Sequence, residues 1–117
     1  MENQEQNKSR LTRITVSISA EYQFKKNKGN CLITDISEGG IAIEANQIFV
    51  EGDLLRIICN PSKHLNIDIW CKVQNIQGRK IGLQFEEISN QMRADLEYYI
   101  FELLDLNKKN KHESFHR

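Results

Sequence analysis

The chain has 117 residues, 39% of them hydrophobic, and 16 Lys and Arg balance 16 Asp and Glu. That length suits one domain around one core, and zero net charge excludes a nucleic-acid or anionic-membrane partner held by a global field. No apolar run approaches a membrane span and Met1 to Asn7 is too polar for a secretory signal, so the expected location is the cytoplasm.

Residues 1–9 are polar and aperiodic and are expected to be a flexible segment outside the domain. From Ile14 the pattern changes: Ile14, Val16, Ile18, Ala20, Tyr22 and Phe24 alternate with polar residues, which predicts a long half-buried strand. Lys25 to Asn30 carries charge and a Gly-Asn pair and reads as a solvated hairpin turn. A second strand is expected over Cys31 to Ile36. A short third strand follows, with Ile41, Ile43 and Ala45 on one face and Ala42 and Glu44 on the other. Glu51-Gly52-Asp53 reads as a turn, Leu54 to Cys59 as a fourth strand, and Asn60-Pro61-Ser62 as its end. Period two returns at Leu65, Ile67, Ile69, Cys71 and Val73, a fifth strand. After a turn at Gln77-Gly78, Ile81, Leu83 and Phe85 face the core from a sixth, with Gly82 thinning the opposite face. Six strands joined by short turns predict a mostly β fold: an antiparallel sheet, apolar on one face, that closes into a small barrel and so removes its edges.

The period then becomes helical. Ser89 is a suitable N-cap, and Met92, Leu96, Tyr99, Ile100, Leu103 and Leu104 form an apolar stripe on a helix expected to end near Leu106. Tyr98, Tyr99 and Phe101 widen that stripe beyond one contact face and suggest an aromatic patch for a partner. Residues 107–117 are polar and basic and read as a flexible tail. Cys31, Cys59 and Cys71 are odd in number, lack C-x-x-C spacing and sit among apolar residues, which predicts free buried thiols.

Little in the chain suits catalysis. Glu86-Glu87 puts its carboxylates on opposite faces of an extended segment, and no serine or cysteine lies in a nucleophile motif with a histidine partner. His112 and His116 stand in the polar tail without a thiol pair and read as solvated, so no metal site is expected. Trp70 is a stacking candidate for single-stranded nucleic acid, but Asp68 beside it argues against a basic groove.

The polar loop between the second and third strands, Asp35-Ile36-Ser37-Glu38-Gly39-Gly40, reads as a ligand loop. Gly39 and Gly40 are expected to take positive φ and turn successive N–H groups toward an anion. Asp35 offers two acceptor oxygens and Ser37 a hydroxyl. A carboxylate beside an anion site suits a ligand with both phosphate and N–H donors, such as a guanine nucleotide, whose Watson–Crick edge presents two adjacent donors. The bland alternative is an Asx-type turn in which Asp35 and Ser37 bond only to backbone. Upstream, Lys8-Ser9-Arg10-Leu11-Thr12-Arg13-Ile14 carries three cations and no acid.

Together these segments resemble the PilZ family of cyclic di-GMP receptors, whose signature is R-x-x-x-R before the first strand and [D/N]-x-S-x-x-G further on. Asp35, Ser37 and Gly40 match the second motif, and Arg13 matches the last arginine of the first; Ser9 stands in the place of the first arginine and Arg10 follows one residue late. The Gly52-Asp53 turn, the Ile81 to Phe85 strand and the closing helix are also similar to the family's. The resemblance implies a split-barrel domain over residues 10–106 that is not an enzyme and has cyclic di-GMP as its ligand and no other cofactor. It assigns Arg13 to phosphate or guanine, Asp35 and Ser37 to guanine and Gly40 to loop shape, with Arg10 and Lys8 as supplements. It further implies that ligand orders the segment from Lys8 to Arg13 across itself, and that the signal passes to a separate protein partner, making the chain an adaptor. The alternative is a PilZ-like interaction module that binds no nucleotide, as in type IV pilus assembly.

Overall fold

Leu65, Ile67, Ile69, Cys71 and Val73 are all buried, and the residues between them are all exposed. This is the outcome that period two dictates for a strand with one face on a core. The computed structural model describes residues 13–115, with side chains for residues 13–106. It comprises β1 (Arg13–Phe24), β2 (Asn27–Ser37), β3 (Gly40–Glu44), β4 (Leu54–Ser62), β5 (Leu65–Gln77), β6 (Lys80–Glu87) and α1 (Asn90–Phe115). The strands close into an antiparallel barrel in the order β1-β2-β3-β6-β5-β4, with β1 and β4 sealing it through Glu21↔Ile58, Tyr22↔Ile57 and Gln23↔Arg56.

Three strand ends differ from the sequence expectation, each because cross-strand pairing overrides local composition. β2 starts at Asn27, paired with Phe24, so the hairpin turn is only Lys25-Lys26, with Lys25 at φ 56°. Gly29 lies inside the strand opposite Tyr22, whose hydroxyl sits 2.5 Å from where a Cβ would stand. β4 continues through Asn60-Pro61 to Ser62, because these residues fall in a register shift between Cys59 and Ser62, where proline's missing N–H is tolerated. β5 runs on to Gln77, and Gly78, at φ 64°, turns the chain with Arg79.

Ser89 caps α1: its hydroxyl accepts the Met92 N–H at 3.0 Å and its carbonyl the Arg93 N–H at 2.9 Å. Leu96 and Ile100 are buried in the core, and Met92, Tyr99 and Leu103 pack against it, setting α1 on β5 and β1. Leu104, at the edge of the stripe, is 39% exposed, while Tyr98 and Phe101 are 64% and 67% exposed on the outer face. The helix continues to Phe115 rather than ending near Leu106. From Asn107 to Phe115 the sequence has neither glycine nor proline to stop it.

Phe49, on the β3–β4 connection, is a buried plug that the sequence did not mark. It meets Tyr22 and Phe24 edge-on at centroid distances of 5.6 and 5.2 Å, and the Tyr22 hydroxyl donates to Gln47 at 3.1 Å. Cys31, Cys59 and Cys71 are free, buried thiols. Burial pushes Cys31 and Cys71 up to about 12 and Cys59 up to about 11, so all three stay protonated and unreactive at neutral pH.

Candidate functional site

Strict alternation along β2 from Ile33 would turn Asp35 into the core and Ile36 out to solvent. Instead Ile33 and Ile36 are both fully buried. Ile33 pairs with Ile43 and Asp35 with Ala42, so Thr34 is an extra residue on β2, and this bulge re-aims Asp35 onto the outer face of the barrel. Register shifts in β1, between Thr15 and Ile18, and in β5, between Val73 and Asn75, fall at the same level. The result is one cross-strand row, Thr15, Asp35, Ala42, Gly82 and Asn75, over five neighbouring strands. Ala42 and Gly82 raise almost no side chain above the sheet. They floor a groove of about 900 Å³ whose walls include Arg13, Asp35, Ser37, Gln84, Lys80 and Arg93. Its walls explain why Ala42, expected on an open face, is only 8% exposed.

Asp35 is 8% exposed and carries an ion pair: Lys80 Nζ stands 2.7 Å from its Oδ2, and the Thr34 hydroxyl donates to the same oxygen at 3.3 Å. The Asx-turn reading therefore does not describe Asp35. It does describe Ser37, whose hydroxyl donates to the Gly40 carbonyl at 3.2 Å and ties the loop across its base. Arg13 opens β1 as the register partner of Ser37 and is exposed at the groove. Arg10, with Lys8 and Ser9, lies outside the described residues.

The expected anion nest does not form. Among the described glycines only Gly52 and Gly78 take positive φ; Gly39 and Gly40 do not. Gly40 is already the first residue of β3, extended and paired with Gln84. It must be glycine for another reason: a Cβ there would lie 2.0 Å from the Leu83 carbonyl oxygen. Gly39 has nothing within 4 Å of such a Cβ, and its carbonyl accepts the Phe85 N–H at 3.0 Å. The motif glycine thus sets how closely β3 approaches β6.

Lys80 and Arg93 escaped the sequence reading. Period two does put Lys80, Gly82 and Gln84 on one face of β6, but the signal is incomplete without knowing that β6 lies beside β3. Arg93 gives no local signal, being one exposed cation in the first turn of a helix. Among the described residues no group of His, Cys, Asp and Glu is arranged to hold a metal ion. Among the described residues no helix is long and apolar enough to cross a membrane.

The fold is thus a small closed six-stranded barrel with a polar groove on its outer face, lined by a bulged carboxylate and flanking cations. The family model of the PilZ domain matches residues 5–102, and the chain belongs to that family. No curated protein matches the chain. Among solved structures it is similar to the Bacillus subtilis inhibitor of motility MotI/DgrA, at TM-score 0.70 and 25% identity over 82% of this chain and 50% of that one. It is also similar to the PilZ domain of Escherichia coli YcgR with c-di-GMP, at TM-score 0.70 and 15% identity, covering 86% of this chain and 94% of that one. Borreliella burgdorferi PlzA in complex with c-di-GMP follows at TM-score 0.64 and 20% identity, over 84% of this chain and 43% of that one. The chain spans about half the length of the motility inhibitor and nearly all of the isolated YcgR domain.

Proposed function

We propose that this chain is a cytoplasmic cyclic di-GMP receptor that binds the dinucleotide in the groove beside Asp35 and signals to a protein partner. The observation that carries the reading is the register that puts Arg13 opposite Ser37 and Thr15 opposite Asp35, so one groove holds a guanidinium, a hydroxyl and a shielded carboxylate. Membership of the PilZ family, and relatives solved with c-di-GMP, support the same reading. In it Asp35 accepts the two N–H donors of a guanine edge, Arg13 takes phosphate or the O6/N7 edge, and Arg10 adds to Arg13. Ser37 and Gly40 hold the loop in shape, and the Ser37 hydroxyl, having donated its hydrogen, can still accept from ligand. The exposed Tyr98 and Phe101 are the surface this reading gives to the partner.

Calorimetric titration of the purified chain with cyclic di-GMP, with GTP and cyclic di-AMP as controls, tests it. Selective binding is expected, and Arg13→Ala weakens it about 10- to 100-fold, the worth of one charge-assisted hydrogen bond. Absence of heat and of any thermal shift at about 1 mM ligand, a concentration that detects even very weak binding, would leave the nucleotide-free interaction module instead.

A further inference from the structure

The motif residues alone leave the groove short of positive charge. Among the described residues, Arg13 faces two carboxylates, Asp35 and Glu38, a formal balance of −1 on a surface that must accept two phosphodiester charges. Two cations outside the motif change the sign: Lys80 from β6 and Arg93 from α1 bring the groove to three cations against two carboxylates, a formal +1. Each is held in place. Lys80 is locked by its 2.7 Å contact with the nearly buried Asp35, yet its own side chain is 45% exposed, so the ammonium neutralises the carboxylate while still facing the groove. The Arg93 backbone is set by the Ser89 cap, whose carbonyl accepts the Arg93 N–H in the first turn of α1. By strand order Arg13 on β1 and Lys80 on β6 stand to either side of Asp35 on β2.

We infer that Lys80 and Arg93 are phosphate-binding residues of this groove, supplying from β6 and α1 the charge that Ser9 does not supply from the N-terminal segment. The inference rests on the cyclic di-GMP reading and deepens it. Lys80 removes the repulsion between Asp35 and a phosphate, so a single pocket accepts a guanine edge and a phosphodiester side by side. Arg93 brings the ligand into contact with α1, the same helix that exposes Tyr98 and Phe101 one to two turns on. Binding is thereby transmitted to that helix directly.

Titrations of cyclic di-GMP into the wild-type chain, Lys80→Gln, Lys80→Arg, Arg93→Gln and Arg13→Ala, each at low and high salt, decide the matter. Lys80→Gln is expected to weaken binding about tenfold and Arg93→Gln, at the groove's helix side, about threefold. Lys80→Arg stays near wild type, and both glutamine variants show a shallower salt dependence than the wild type, because each removes one screened charge contact. A merely structural role for either residue would not alter the salt slope. Arg93 stands on the surface, so Arg93→Gln reports even if Lys80→Gln folds poorly. Binding that depends on Arg13 but is unchanged within twofold in both glutamine variants, with the wild-type salt slope, overturns the inference and leaves the receptor reading intact. A wild-type chain that binds nothing removes both.

Discussion

Gly40→Ala is expected to destabilise the barrel by at least about 3 kcal/mol, the upper part of the range for overpacking a well-filled site. The added methyl would stand 2.0 Å from the Leu83 carbonyl oxygen and within 3.2 Å of Gln84 Cα, and both neighbours are backbone. No side chain can swing aside, so β3 and β6 must separate at the pair Gly40↔Gln84. At 4–8 °C per kcal/mol for a domain of this size, the midpoint of thermal unfolding falls by roughly 12–24 °C. Gly39→Ala is the control: with open space around its Cβ and no positive φ, it should shift the midpoint by only a few degrees. Equal midpoints for the two variants would show that Gly40 is not set by the approach of β3 to β6. The result also bears on function, because it separates the glycine's packing role from any part in cradling an anion.

Asp35→Ala should raise the dissociation constant for cyclic di-GMP about 100-fold while shifting the unfolding midpoint by less than about 8 °C. The affinity term is large because a carboxylate with two acceptor oxygens faces two adjacent guanine N–H donors, and charge-assisted bonds of this kind contribute about 1.5–3 kcal/mol each. The stability term is small because the orphaned Lys80 is 45% exposed and relaxes into water, and pairs with an exposed partner contribute under about 1 kcal/mol. Parallel titration and melting curves check both halves. Unchanged affinity would remove Asp35 from the ligand site, and a collapse of the fold would make its pairing with Lys80 a structural requirement.

The core was legible wherever apolar residues kept a strict period. Leu65 to Val73 and Ile81 to Phe85 bury the residues that alternation names, and the Ser89 cap together with the buried Leu96 and Ile100 starts and seats α1 as its periodicity implies. The motif residues Asp35, Ser37 and Gly40 could be named from their spacing, but their physical roles could not. Asp35 faces the groove because of an extra residue at Thr34, and a bulge leaves no mark in composition. Gly40 is glycine because of Leu83, a residue far along the chain that becomes its neighbour only when β3 meets β6. Lys80 reaches Asp35 by the same non-local pairing. Strand ends were misjudged where polar or turn-forming residues, Asn27 to Asn30 and Asn60-Pro61, are carried into the sheet by a partner strand. In each case register, a property of two strands together, decided what one strand's sequence left open.

The proposed receptor takes the dinucleotide in the outer-face groove over β1, β2, β3, β6 and β5. Amide chemical-shift mapping of the labelled chain titrated with cyclic di-GMP tests this most directly. Shifts are expected to concentrate at Arg13, Asp35, Ser37, Gly40, Gly82 and the start of α1 at Arg93, with Lys63 and His64 in the β4–β5 turn unmoved. Shifts confined to other faces of the barrel, or a spectrum unchanged at saturating ligand, would contradict it.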